Sequence, residues 1–149
     1  MLDGAEVEVL DLNDYELPLY SVDKEKELGH PQLAQVFMAK IAANDAIIIS
    51  FAEHNGSYSV AYKNLFDWCS RINPKVFQDK PLVLLSTSPG PRGAVSVLAT
   101  AVNSAPHFEG HVKASLSVPS FYENFDIELG VLKNQDLNLQ LIDAINRLK

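Results

Sequence analysis

The sequence is poor in cysteine, in basic residues and in long apolar runs, and each shortage excludes a class of protein. Its single cysteine, Cys69, cannot form an internal disulfide, which is typical of proteins in a reducing cytoplasm. The 12 lysines and arginines are outnumbered by 19 aspartates and glutamates, and the resulting net charge of −7 disfavours nucleic acid as a partner. No apolar run has the length of a membrane span, and the first residues do not resemble a signal peptide. We therefore expect a cytoplasmic protein that binds neither nucleic acid nor membrane.

The remaining composition is that of an ordinary globular protein. With 149 residues, of which 47% are hydrophobic and 21% charged, the chain is large enough to fold around its own core. We see no repeat, low-complexity tract or linker. The sequence therefore predicts one α/β domain over residues 1–149.

Hydrophobic periodicity divides the chain into alternating strands and helices. Two continuous apolar runs are typical of strands covered on both faces, and two alternating segments are typical of edge strands. Apolar residues at helical spacing follow each of them. The predicted strands are 6–12, 45–51, 81–87 and 111–118, and the predicted helices are 31–43, 57–72, 93–105 and 136–148. This β-α-β-α-β-α-β-α order favours a parallel sheet with helices on both faces, and leaves 13–31 and 119–135 irregular.

Two loops follow the two apolar strands, where open α/β sheets bind their ligands. In loop 53–57, Asn55 and Gly56 permit a tight turn with positive φ, and Ser57 is predicted to cap the next helix. In loop 88–93, Gly90 and Gly93 let the backbone approach a ligand, and no Walker motif is present. Each loop alone is also compatible with an ordinary turn, but the pair favours a shared ligand site.

Other residues that could carry chemistry have simpler explanations. Cys69 has no neighbouring cysteine or base and is predicted to be a packing residue, and Trp68 is predicted to lie in the core. The histidines show no metal-ligand spacing, so we predict no metal site. The charged run 23–27 is predicted to be solvated.

Several motifs together resemble the NADPH-dependent FMN reductase family, and the similarity extends over nearly the whole chain. The most specific part runs from the Asn-Gly-Ser turn into the helix that follows. The matching segments are Leu-Pro-Leu-Tyr at 17–20, 45–50, Glu-His-Asn-Gly-Ser at 53–57, Lys-Asn-Leu-Phe-Asp-Trp at 63–68, Lys-Pro at 80–81, 86–93 and Phe-Asp at 125–126.

The resemblance implies a flavodoxin-like three-layer α/β/α sandwich and an oxidoreductase. Such a flavoprotein passes hydride from NADPH or NADH to FMN, and then reduces an acceptor such as a quinone, an azo compound or a metal oxyanion. The flavin carries the redox chemistry, so no catalytic side chain is named. By the same similarity, one set of residues lines the isoalloxazine ring and a second set forms the opposite side. The first set is Glu53, His54, Asn55, Gly56 and Ser57, and the second is Ser88, Pro89, Gly90 and Gly93.

The sequence departs from the family pattern in two ways. Ala52 and His54 stand where the family commonly has Pro and Tyr, which alters the tuning of a flavin more than its binding. In addition, the family begins with a strand, a Ser/Arg-rich loop that grips the FMN phosphate, and a helix. This βα unit of about thirty residues has no counterpart in the sequence, so we predict a flavodoxin-like sheet without its first strand and weak binding of FMN.

The helix predicted at 57–72 carries a second apolar row, formed by Tyr58, Tyr62, Phe66 and Cys69. A helix that is apolar on two sides is usually buried on two sides. The resemblance implies that this helix joins subunits, so we expect a homodimer or a homotetramer. The alternative from a different class is a flavodoxin-like module that binds a partner protein and no flavin.

Overall fold

The computed structural model describes residues 4–149, which form a three-stranded parallel sheet with helices packed against it. The strands are β1 Ile47–Phe51, β2 Glu53–His54, β3 Ser57–Tyr58, β4 Lys80–Thr87, β5 Gly110–Val118, β6 Phe125–Asp126 and β7 Val131–Leu132. The strand order in the sheet is β1-β4-β5, with two small antiparallel hairpins outside it. The α-helices are α1 Val22–Leu28, α2 Gln32–Ala43, α3 Val60–Ile72, α4 Val95–Ser104, α5 Phe121–Asn124 and α6 Gln135–Asn146. The predicted β/α alternation from residue 31 onwards is confirmed.

Local capping fixes where the helices begin. Ser59 caps α3, because its side chain accepts the amide proton of Tyr62. The prediction that Ser57 caps this helix is therefore wrong, since Ser57 pairs with His54 in a hairpin. The turn at residues 54–57, predicted to lead directly into the helix, instead belongs to a β-hairpin, and α3 begins after that hairpin with Ser59 as its cap.

The segment 6–12, predicted to be an edge strand, belongs to no strand in the structure. Val7 is 74% exposed and Val9 is 86% exposed, so their alternation with glutamates does not reflect burial. A strand is stabilised by the hydrogen bonds and side-chain pairs of a neighbour. Among residues 4–149, β1 pairs with β4 alone and its other edge is unpaired. The prediction was wrong because alternation cannot reveal whether a partner strand is present.

The two apolar strands differ in how they are covered. In β4, the consecutive residues Leu82, Val83 and Leu84 are all buried, as predicted for a strand covered on both faces. In β1, Ile49 packs into the core while Ile48 is 48% exposed. The prediction that β1 is covered on both faces is therefore wrong.

The helices account for this difference. Helices α2, α3 and α4 contribute residues to the hydrophobic clusters that cover one face of the sheet. Ile47 of β1 lies on this covered face and packs against the clusters. On the other face, Ala144 of α6 lies beside Ala114 and Leu116 of β5. Ile48 is in register with Val83, which is in register with Ala114, so all three point to the face of α6. One helix over β5 leaves the same face of β1 open.

The segment 17–20 is fastened to α3 by two side chains one turn apart. The indole N–H of Trp68 donates to the carbonyl of Pro18 over 2.7 Å. The amide oxygen of Asn64 accepts from the backbone N–H of Tyr20 over 2.9 Å, and its nitrogen donates to the carbonyl of Leu17. Trp68 is fully buried, as predicted. Two motifs far apart in sequence are therefore one structural unit.

The segments predicted to be irregular contain short elements. Helix α1, capped by Ser21, holds the charged run 23–27 and buries no residue, so the run is solvated as predicted. The segment 119–135 contains α5 and the β6–β7 hairpin, and the rings of Phe121 and Phe125 stack at 4.9 Å between centroids. Within residues 4–149, no helix is both long enough and apolar enough to cross a bilayer.

Candidate functional site

The loops 53–57 and 88–93 lie side by side at one edge of the sheet. They follow β1 and β4, which are parallel neighbours with Phe51 in register with Ser86. A third loop, which starts at Pro119, follows β5 at the same edge. Only the first two of these loops contain residues predicted from the sequence to share a ligand site.

The first loop is the turn of the hairpin formed by β2 and β3. Asn55 has φ 52° and Gly56 has φ 75°, so the predicted turn with positive φ is confirmed. Residues 54–57 are exposed, and a Cβ atom added to Gly56 meets nothing within 4 Å. The turn therefore presents its backbone and the side chains of His54 and Asn55 to solvent.

The second loop is held in place by the third. The carbonyl oxygens of Ser88 and Gly90 accept the amide protons of Phe121 and Ser120, over 3.0 and 2.9 Å. The hydroxyl of Thr87 donates to the carbonyl of Val118 over 2.8 Å. Ser120 has φ 46°, which is unusual for serine and gave no signal in the sequence. The loop 88–93 thus has a fixed backbone before any ligand arrives.

The two glycines of the second loop have different roles. Gly93 is buried with φ 55°, and an added Cβ atom would lie 2.3 Å from the hydroxyl oxygen of Ser117. Its carbonyl oxygen accepts the hydroxyl protons of Ser86 and Ser117. At Gly90, an added Cβ atom would meet the Ser88 hydroxyl at 4.0 Å and nothing nearer. Gly93 therefore serves packing against β5, and Gly90 is the glycine with space beside it.

The carboxylate of Glu53 is directed at helix α4. It accepts the amide proton of Val97 over 2.8 Å, and Val97 is in the first turn of the helix. Ala94, which precedes that turn, is left-handed with φ 60° and has no side chain that could cap it. Glu53 therefore takes the position that an N-cap side chain usually has.

The cations near the loops are already in contact with neighbours. Lys63 forms an ion pair with Asp67 one turn along α3, and Arg92 donates to the hydroxyl of Ser96 over 3.1 Å. Because Glu53 occupies the first turn of α4, the N-terminus of this helix is less available to an anion. The cations and the helix start beside these loops are therefore less able to hold a phosphate group.

Cys69 is buried between α2 and α3, where its thiol lies 3.9 Å from the carbonyl oxygen of Ala34. Burial raises the pKa of the Cys69 thiol to about 12, because the thiolate would lose its hydration. A thiol in this state is a poor nucleophile, which agrees with the packing role predicted from the sequence.

Comparison with known protein families matches residues 1–122 to the NADPH-dependent FMN reductase family. Among curated proteins, the chain is 37% identical over 87 residues to the NADPH:quinone oxidoreductase of Arabidopsis thaliana, covering 58% of this chain and 43% of that protein. It is 34% identical over 87 residues to an NAD(P)H-dependent FMN reductase of Pseudomonas aeruginosa, covering 58% and 45%. The chain thus spans less than half the length of these relatives.

Among solved structures, the flavoenzyme NAD(P)H:acceptor oxidoreductase FerB of Paracoccus denitrificans superimposes with a TM-score of 0.72. The superposition covers 96% of this chain and 78% of FerB at 23% sequence identity, so it supports the fold. It confirms the flavodoxin-like α/β architecture predicted from the sequence. The match over residues 1–122 shows that the chain belongs to the NADPH-dependent FMN reductase family.

Proposed function

We propose that the chain is an NAD(P)H-dependent FMN reductase that holds the isoalloxazine ring of its flavin at the loops 53–57 and 88–93. The observation that carries this proposal is the position of two differently built loops, one an exposed turn and the other only partly exposed, at the carboxyl ends of adjacent parallel strands. Ligands of open α/β sheets bind at such an edge. Membership of the family supplies the chemical class of the ligand.

Most of the residues predicted from the sequence are proposed to contact the isoalloxazine ring, and two of them are assigned a supporting role. On one side, the backbone of the turn and the side chains of His54 and Asn55 face the ligand. On the other, Ser88, Pro89 and Gly90 provide a fixed backbone surface. We assign Glu53 and Gly93 a supporting role, because their polar groups are engaged with α4 and β5. Ser57 contributes through the hairpin.

Hydride and electron transfer belong to FMN when it is bound, and the chain binds and orients it. The donor is NADPH or NADH, and a quinone is the acceptor we propose first, because proteins similar to this chain carry that name. Azo compounds and metal oxyanions are further candidates. The single buried cysteine supports a reducing, cytoplasmic location.

The test is an assay of NADPH oxidation with excess FMN and a benzoquinone, compared with the same mixture without protein. We expect the chain to raise the rate above that of free FMN, and the Asn55→Val variant to raise it less. If the chain adds nothing to the rate of free FMN, the proposed function is wrong. A flavin-free module that binds a partner protein is then the better interpretation.

We also propose that the chain forms a homodimer or homotetramer through α3. The prediction that Tyr58 belongs to an apolar row on this helix is wrong, because Tyr58 lies in β3 and α3 begins at Val60. The rest of the row packs partly within the chain, since Phe66 contacts Phe108 at 4.7 Å between ring centroids and Cys69 is buried. Beside the row lies a concavity of about 210 Å³, lined by Tyr58, Tyr62, Lys63, Phe66, Asp67, Ser70, Ser104 and Phe108. This concavity is the surface we propose for the contact.

Ser70→Arg places a long charged side chain at this concavity without removing an aromatic residue from the core. We expect sedimentation to give a dimer or larger for the unmodified chain and a lighter species for the variant. Asn138→Arg, at an exposed position of α6, is the matched control. A monomer for the unmodified chain would rule out this contact.

A further inference from the structure

The hairpin 53–58 is attached to both ends of helix α4. At the start of the helix, the carboxylate of Glu53 accepts the amide proton of Val97 over 2.8 Å. Near its end, the hydroxyls of Tyr58 and Ser104 lie 3.2 Å apart. Glu53 and Tyr58 are themselves paired across the hairpin. The hairpin therefore spans α4 and is held at two points.

Helix α4 is also the direct continuation of the loop 88–93. Gly93 and Ala94 both have positive φ, and the helix begins at Val95. The amide of Val97 that donates to Glu53 is thus four residues beyond Gly93, the last residue of this loop. This hydrogen bond joins two parts of the site that are 44 residues apart in the sequence.

We propose that Glu53 is a positioning residue that holds the ring-binding hairpin at a fixed distance from the loop 88–93. Its carboxylate acts through α4 and does not contact the flavin. The expected effect on flavin affinity rests on the proposed function. The attachment of the hairpin to α4 by Glu53 does not depend on any ligand.

The physical reason is that the first backbone amides of α4 lack hydrogen-bond acceptors within the helix. The first amide groups of a helix have no partner within it, and a carboxylate there is favoured by hydrogen bonding and by the helix dipole. The methyl side chain of Ala94, the residue before the helix, cannot accept a hydrogen bond from these amides. If Glu53 is shortened, the helix loses its cap and the hairpin loses its attachment next to the second loop.

Amide hydrogen exchange on the unliganded chain tests the attachment directly. In Glu53→Ala, we expect exchange across the hairpin 53–58 and at Val97 to accelerate by about tenfold or more, because a charge-assisted hydrogen bond is lost. Glu53→Gln keeps a neutral acceptor on a side chain of the same length. Its exchange rates should lie between those of Glu53→Ala and those of the unmodified chain. Unchanged hairpin exchange in Glu53→Ala would overturn the proposal.

Asn134→Ala is the matched control, because it removes a helix cap far from the site. The side chain of Asn134 accepts the amide proton of Leu137 at the start of α6. We expect this variant to lose comparable thermal stability without faster exchange in the hairpin. If both variants accelerate hairpin exchange equally, the role of Glu53 is general stability and the proposal fails.

Riboflavin titration then links the attachment to binding. We expect the dissociation constant to rise by about tenfold in Glu53→Ala and to remain unchanged in Asn134→Ala. A chain that binds no flavin would refute the proposed function, while the exchange measurements would still decide whether Glu53 holds the hairpin. Faster exchange with unaltered riboflavin affinity would refute the positioning role.

Discussion

The hairpin 53–58 and the loop 88–93 meet at one edge of the sheet, but they are held in different ways. The loop 88–93 is fixed by backbone hydrogen bonds to residues 120 and 121 and by close packing of Gly93 against Ser117. The turn of the hairpin is exposed, and side chains attach its strands to α4. Substitutions that disturb the packing of the loop 88–93 should therefore lower the stability of the fold, whereas substitutions in the turn of the hairpin should lower the affinity for a ligand.

Gly93→Ala should have the largest effect on stability. The new Cβ atom would lie 2.3 Å from the Ser117 hydroxyl and 2.9 Å from the backbone nitrogen of Pro119, at a φ of 55°. Overpacking and a strained backbone together should lower the free energy of unfolding by about 3 kcal/mol. Urea unfolding measures this, with Gly90→Ala as the control, because its nearest atom is 4.0 Å away. Equal losses in the two variants would contradict the difference between these glycines.

Asn55→Val should separate binding from stability. A β-branched residue disfavours the φ of 52° found at this position, and the side-chain amide is lost. We expect a loss of about 1 kcal/mol in stability, because the turn is exposed. Riboflavin affinity, measured by fluorescence quenching, should fall by about tenfold or more. Normal affinity in a variant that folds would place the ring site elsewhere.

Thr87→Val tests the contact between the ends of β4 and β5, from which the second and third loops start. The hydroxyl of Thr87 donates to the carbonyl of Val118, and its removal should cost about 1 kcal/mol. Thr100→Val is the matched control, because the hydroxyl of Thr100 donates to Ser96 within its own exposed helix. A thermal denaturation series in which Thr100→Val is the more damaging change would show that the contact to β5 contributes little.

Periodicity predicted most of the fold because most elements bury one recognisable stripe or run. It failed for 6–12 and for the open face of β1, where the outcome depends on a partner strand and a covering helix. The exposed Val9 and Ile48 read in the sequence like core residues, since an apolar side chain looks the same whether or not it is covered.

The candidate site was predictable in part for a similar reason. Asn55 and Gly56 are turn residues by their own chemistry, and the loops meet because the strands before them are parallel neighbours. The contact of Glu53 with Val97 joins residues 44 positions apart, so no spacing rule could suggest it. The left-handed Ser120 that fixes the second loop likewise left no trace in the residue pattern.

The role of Glu53 also bears on the cofactor's phosphate. FMN carries a dianion that flavodoxin-like proteins hold with backbone amides and hydroxyls at a helix start. In the part of the chain that the structure describes, the loop containing Ser88 and Arg92 leads into α4, whose first turn already binds a carboxylate. The net charge of −7 provides no compensating field. The chain should therefore bind the ring of a flavin without favouring its phosphate.

A fluorescence-quenching titration of this chain with riboflavin and with FMN tests that claim most directly. We expect both flavins to bind weakly and with similar dissociation constants, because the two loops contact the ring that they share. A phosphate site would add several charge-assisted hydrogen bonds at roughly 1.5–3 kcal/mol each. Sub-micromolar binding of FMN with a clear preference over riboflavin would contradict the claim and show that residues of this chain do hold the phosphate.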